Sequence, residues 1–212
     1  MIQGGEEWIA ARLGKVTASR ISDVTAKGRS GAPSETRANY MADLITERLT
    51  GKQADNYVSS AMQYGTDTET EARAAYQFER GILIKQQGFI DHPRIAMSGA
   101  SPDGFVSDDG GIECKCPLTK THINYLMGAS IPGAYVGQMQ FNMAVTGRAW
   151  IDWVSYDNRL PENMRLHIRR VHRDEQLIAE LETQARDFLS ELDAKLAALT
   201  SRYGVPAQKA AA

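Results

Sequence analysis

The chain has little sulfur, no excess of charge and no long hydrophobic run. Its only two cysteines, Cys114 and Cys116, flank one lysine. Side chains two apart in a strand leave the same face, and a reducing compartment keeps thiols free, so no structural disulfide is expected. The second Cys or His pair of a four-ligand zinc site is missing, and the four histidines at 92, 122, 167 and 172 lack metal-ligand spacing. Both cysteines therefore read as small core hydrophobes. No window approaches the roughly 18 consecutive apolar residues of a membrane span, and MIQGGEEWIA lacks the basic-then-apolar pattern of a secretion signal. A cytoplasmic protein without membrane contact is expected. With 24 Lys and Arg against 26 Asp and Glu, a general nucleic-acid coat is disfavoured, but local fields stay open. One such field lies between residues 11 and 37, where Arg12, Lys15, Arg20, Lys27, Arg29 and Arg37 outnumber Asp23 and Glu35. A basic surface and an ordinary solvated face both fit that stretch.

What is present suits one core. The 212 residues, 42% of them hydrophobic, suffice for a single domain spanning 1–212. TASRISDVT at 17–25 predicts a short helix, and KGRSGAPSE after it a loop. From Glu35 to Thr50 apolar positions recur at three- and four-residue steps and stop at Gly51, as an amphipathic helix requires. A second helix is expected over about Thr66–Glu79, ending before Gly81, with Glu69 on the same face as Ala72, Ala75 and Tyr76. The stretch 82–116 changes to short β-favouring runs with Gly, Pro and Asp between them, a meander of three or four strands. A helix from Pro132 to Gly147 carries Val136, Gln140, Met143 and Ala144 on one face. Two strands follow in AWIDWVSYD and MRLHIRRVH. A long helix with an apolar stripe occupies 174–200, and the tail at 204–212 should fray. The fold class is α/β, with one central mixed sheet flanked by helices and a helical N-terminal part of about 60 residues.

The sharpest chemical signal is SPDG at 101–104 followed across a turn by IECKCP at 112–117. A hairpin turning at 109–110 puts Asp103 opposite the region of Lys115, with Glu113 diagonally adjacent. Glu113 and Lys115 share one strand face, and Cys114 points to the other. Alone, E-x-K is more often a cross-strand salt bridge. Here the alternate face is apolar, which suits a cleft-lining strand. Two neighbouring carboxylates repel until a hard cation sits between them. Such a cation polarises a phosphoryl oxygen and activates water, and Lys115 can orient that water or offset developing charge. Glu69, unless it is a tilted, water-facing acid, would add a ligand directly or through water, and the main-chain carbonyl of Cys114 could reach the cation too.

These segments resemble the PD-(D/E)XK nuclease superfamily and, within it, the phage lambda exonuclease family. RLGKVTAS at 12–19, GRSG at 28–31, GTDTETEAR at 65–73, SPDG, ECKCP and AYVGQMQF at 134–141 occur in that family's order and approximate spacing. The resemblance implies a PD-(D/E)XK restriction-endonuclease-like core whose catalytic residues are Asp103, Glu113, Lys115, Glu69 and Gln140. It implies that Asp103, Glu113, the Cys114 carbonyl and Glu69, directly or through water, hold two Mg²⁺ ions, with Mn²⁺ as a substitute. Arg12, Ser19 and Ser101 match a pocket for the 5′-phosphate, and Arg29 matches a DNA-contacting loop residue. The expected activity is 5′-to-3′ digestion of one strand of linear duplex DNA, by a ring-shaped homotrimer that works with a single-strand annealing protein. The rivals are an endonuclease or repair nuclease of the same superfamily, a silent DNA clamp, and a metal-storage or redox role for CKC.

Overall fold

The computed structural model describes residues 3–29, 31–54 and 60–204. In chain order the elements are α1 (Glu6–Arg12), β1 (Val16–Thr17), a 3₁₀ turn (Ala18–Arg20), α2 (Ile21–Val24), α3 (Glu35–Thr50) and α4 (Ser60–Arg80). Then come β2 (Ile84–Lys85), β3 (Ile90–Asp91), β4 (Ser98–Ala100), β5 (Gly104–Val106), β6 (Gly110–Lys115), α5 (Thr119–Leu126) and α6 (Gly133–Thr146). The chain continues through β7 (Trp150–Tyr156), a 3₁₀ turn (Glu162–Met164), β8 (Leu166–His172) and α7 (Glu175–Tyr203).

Helix ends follow local chemistry. Ser34 Oγ accepts the Arg37 N–H at 3.2 Å to start α3, and Gly51, with φ of 67°, ends it in the left-handed conformation. Asp174 caps α7 in the same way through the Leu177 N–H at 3.0 Å. Helix α4 starts at Ser60, earlier than the pattern predicted, because Gly65 is carried inside the helix. Two helices gave no sequence signal. Neither α1 nor α5 has a side-chain cap, and both are short. The tail beyond Gly204 lies outside the described residues.

The strands form two sheets rather than the single one expected. The larger has the order β2-β5-β6-β7-β8, the smaller β1-β4-β3. Only β6 and β7 pair in parallel within the larger sheet. The α5–α6 connection between them supplies the crossover such a pair needs. Splitting the 82–116 meander this way lets β4 join β1 while β5 joins β6.

Alternation along the strands separates two layers. Ile112, Cys114, Val154 and Tyr156 pack with Ala72 and Tyr76 of α4. Ile151 and Trp153 face Met139 and Met143 of α6 and Ile178 of α7. The outer side of α6 contributes Phe141 and Val145 to a third cluster with Val16, Ile21, Tyr40, Phe188 and Leu192, tying the small sheet, α2 and α3 to the core. Strand β6 thus runs between α4 and α6, and its C-terminal end is where chemistry collects.

Candidate active site

The β5–β6 hairpin sets the site's register. Gly104 pairs with Ile112 and Val106 with Gly110, so Asp103 comes opposite Glu113, not Lys115. The expected register was two residues off because the turn occupies residues 107–109, one step earlier, with Ser107 at a φ of 52°. The glycine of SPDG has a steric reason: a Cβ at Gly104 would lie 2.1 Å from Ile84 Cγ2 on the neighbouring strand. That close packing fixes where Asp103 leaves the strand.

Asp103 Oδ2 accepts the Cys114 N–H at 2.7 Å. Burial holds its carboxyl well above the ordinary carboxylate range, and the nearby charges of Glu113 and Glu69 push it further. Glu113, 1% exposed, accepts from Lys115 Nζ at 2.7 Å and Gln138 Nε2 at 2.6 Å on Oε1, and from Asn142 Nδ2 at 3.1 Å on Oε2. Burial alone would lower the Lys115 ammonium's pKa, but Glu113 and Asp103 outweigh it and hold the group above its ordinary value, so it stays charged. Its Nζ also meets Gln138 Oε1 at 3.2 Å and lies 4.9 Å from the centre of the Tyr135 ring. Glu69 arrives from α4, one turn from Ala72, and pairs with Arg73.

These groups line one cleft of about 640 Å³. The same cleft is also lined by Trp8, Arg12, Thr17, Ser19 and Ser101. The Arg12 guanidinium stacks 3.9 Å from the Trp8 ring centre, and Trp8 Nε1 donates to Ser101 Oγ at 2.9 Å. Ser19 Oγ lies 3.2 Å from Thr17 Oγ1. Basic and hydroxyl groups thus share one cleft with the acids. Beyond Arg12, the N-terminal basic stretch is less free than its composition suggested. Lys15 pairs with Asp91, Arg20 with Asp23 and Asp43, and Arg37 with Glu191. Arg29 is exposed and lies outside the cleft.

Gln140 requires correction. It does not reach the acids: its Nε2 donates to the His172 carbonyl at 2.8 Å, and its Oε1 accepts the Asp174 N–H at 2.9 Å. It ties α6 to the turn between β8 and α7. Two helical steps rotate a side chain by about 200°, so the glutamine facing Glu113 is Gln138. The signal that would have found it was a polar stripe, Tyr135, Gln138 and Asn142, at three- and four-residue spacing in an otherwise apolar helix. Trp8 and Arg73 also border the cleft without having been singled out. Cys114 is buried and Cys116 half-buried, both free. Burial lifts the Cys116 thiol to about 12, with Glu69 and Asp103 adding to the effect, so it is an unreactive thiol.

The donor set suits a hard divalent cation, which would relieve the repulsion centred on Asp103. Among the described residues no three carboxylate, imidazole or thiol side chains close on one point. The protein therefore supplies only part of a coordination shell, and water and phosphate oxygens would complete it, as such cations favour.

The chain is also similar to known nucleases. Residues 7–149 match the YqaJ-like viral recombinase domain. No curated protein sequence matches. The chain is similar to the crystal structure of an alkaline exonuclease from Laribacter hongkongensis, with 50% sequence identity, 94% of this chain and 98% of that one covered, and a TM-score of 0.88. The structure of that exonuclease in complex with dAMP gives the same values. A phage related exonuclease from Haemophilus somnus 129PT has 18% identity, 86% and 96% coverage and a TM-score of 0.63, a likeness of fold. Among the described residues no helix is long and apolar enough to cross a membrane. The chain belongs to the YqaJ-like viral recombinase family, nucleases of the lambda exonuclease type with a PD-(D/E)XK core.

Proposed function

We propose that the protein is a Mg²⁺-dependent 5′-to-3′ exonuclease that digests one strand of linear duplex DNA and leaves a 3′ single-stranded overhang for recombination by strand annealing. The observation that carries this reading is that two chemistries line one cleft. Asp103, Glu113, Glu69 and Lys115 form the first group, and Arg12, Ser19 and Ser101 the second. A terminal phosphate bound by the second group brings the next phosphodiester toward the first.

Asp103 and Glu113 would hold the cations, with Glu69 and the Cys114 carbonyl as further oxygen ligands. Two Mg²⁺ ions, or Mn²⁺ in their place, would supply Lewis-acid activation of the phosphate and a more acidic water. Lys115, kept charged by its carboxylate neighbours, orients the attacking water and offsets charge building on phosphorus. Gln138 bridges Lys115 and Glu113 and so fixes their relative placement. Attack of water at phosphorus breaks the bond to the 3′ oxygen, which leaves with a proton. The released mononucleotide retains its 5′-phosphate, and the shortened strand gains a new one. Each cut therefore regenerates the end that Arg12, Ser19 and Ser101 bind. Arg29 would contact the duplex outside the cleft.

The reading extends to a homotrimer of phage or prophage origin, acting in the cytoplasm with a single-strand annealing protein. Its test is digestion of linear duplex labelled at either 5′ or 3′ ends, with a closed circle alongside. Early loss of the 5′ label and an intact circle are expected. Cutting of the circle would instead favour an endonuclease of the same superfamily, and no cutting with any divalent cation would favour a silent clamp.

A further inference from the structure

Asn142 projects from α6 one turn after Gln138 and is 1% exposed. Its Nδ2 donates to Glu113 Oε2 at 3.1 Å, but its Oδ1 is buried with no hydrogen-bond partner among the described residues. An unpaired buried carbonyl costs the fold stability. Its neighbours Met139, Phe141, Met143 and Ala144 are buried and apolar, so a leucine of similar volume would suit packing alone. The residue lines the cleft, as do Thr17, Ala18, Asp103 and Glu113.

The donors around Glu113 are divided unequally. Lys115 and Gln138 both engage Oε1, while among the described residues Asn142 alone engages Oε2. A carboxylate oxygen accepts at about two lone-pair sites, so the remaining acceptor capacity lies on Oε2, beside Asn142. We propose that Asn142 is a positioning residue for divalent-cation binding: Nδ2 pins Glu113 Oε2, and Oδ1 accepts a hydrogen bond from a water that hydrates the bound cation. This accounts for both halves of the amide, the paired donor and the buried acceptor. It rests on the nuclease reading of the same site.

The test is calorimetric titration of the whole protein with MgCl₂ and MnCl₂, together with melting in EDTA, for wild type, Asn142→Leu and Asn142→Asp. Losing a group that orients a ligand typically weakens metal affinity about ten- to a hundredfold, and that loss is expected for Asn142→Leu. Its melting in EDTA should stay close to wild type, because removing the bond to Glu113 and removing the unpaired acceptor act in opposite directions. Asn142→Asp, with a second acid beside Glu113, should melt lower in EDTA and show a larger rise on adding cation. Wild-type affinity in Asn142→Leu, or a large fall in its melting with affinity intact, would overturn the proposal. If the leucine variant does not fold, an unchanged cation-induced rise in Asn142→Asp overturns it. Failure of the wild type itself to bind either cation would sink the nuclease reading rather than the role of Asn142 alone.

Discussion

Replacing Asp103 by Asn should move the stability of this protein in opposite directions with and without metal. Asp103 is a buried acid whose carboxyl sits above its ordinary range because of burial, Glu113 and Glu69. A group with a folded pKa above its unfolded one contributes stability at low pH and loses it as the pH rises. As the pH rises above the ordinary carboxylate range the metal-free wild type therefore bears a growing cost from this buried acid, a cost absent below about pH 4. Asparagine keeps the acceptor for the Cys114 N–H without the charge. In EDTA the variant should melt above wild type near pH 8, and the gap should close on acidification. Divalent cation reverses the order. At about 100 times Kd a bound ligand adds about 2.7 kcal/mol, which for a chain of this size raises Tm by about 5–11 °C. Wild type should show that rise, and Asp103→Asn little of it. The assay is thermal melting in EDTA and in a Mg²⁺ series at several pH values. If the variant melts lower in EDTA at every pH, or keeps the full rise with Mg²⁺, the placement of a charged, cation-binding acid at 103 is wrong.

Other substitutions separate reactive from structural roles. Lys115→Ala should abolish cleavage while DNA binding, followed by gel shift, survives; normal cutting would remove Lys115 from the mechanism. Gln138→Ala should depress turnover with little change in melting. Gln140→Ala should do the reverse, losing about 1–3 kcal/mol in urea titration because the Asp174 N–H and His172 carbonyl lose their partner. Asp157 has a fully buried side chain. Its burial would raise the pKa, but hydrogen bonds from Arg159 and Thr119 hold it near 2 instead of 3.8. That difference contributes about 2 kcal/mol at about 1.4 kcal/mol per pH unit, present above the ordinary value and lost as the pH falls from about 4 toward 2. Arg159→Ala should lower urea stability at neutral pH and flatten its decline on acidification.

Most of the site was legible because β-strand spacing is rigid. Glu113 and Lys115 had to share a face, and a turn before them had to bring Asp103 close, even though the register was off by two residues. The helices at 35–50 and 133–146 were legible from glycine stops and apolar periodicity. Gln140 was misassigned for the opposite reason. Helix α6 buries residues on nearly every side, so periodicity did not say which polar residue faces β6. The packing of Phe141 against the α2–α3 cluster and of Met139 and Met143 against β7 decides it in favour of the polar stripe of Tyr135, Gln138 and Asn142. The division into two sheets was equally hidden, since Ser98–Ala100 pairs not only with nearby Ile90–Asp91 but also, in parallel, with Val16–Thr17 far back in the chain. Trp8 escaped notice because α1 has neither a side-chain cap nor a buried face of its own.

The central claim is that Arg12 and the acids serve one substrate. Its most direct test is the ratio of initial digestion rates for linear duplexes with 5′-phosphate and 5′-hydroxyl ends, in wild type and in Arg12→Gln. Wild type should prefer the phosphorylated end, and Arg12→Gln should lose that preference while binding Mg²⁺ with unchanged affinity. Equal rates on both ends in wild type, or an undiminished preference in the variant, would contradict the account.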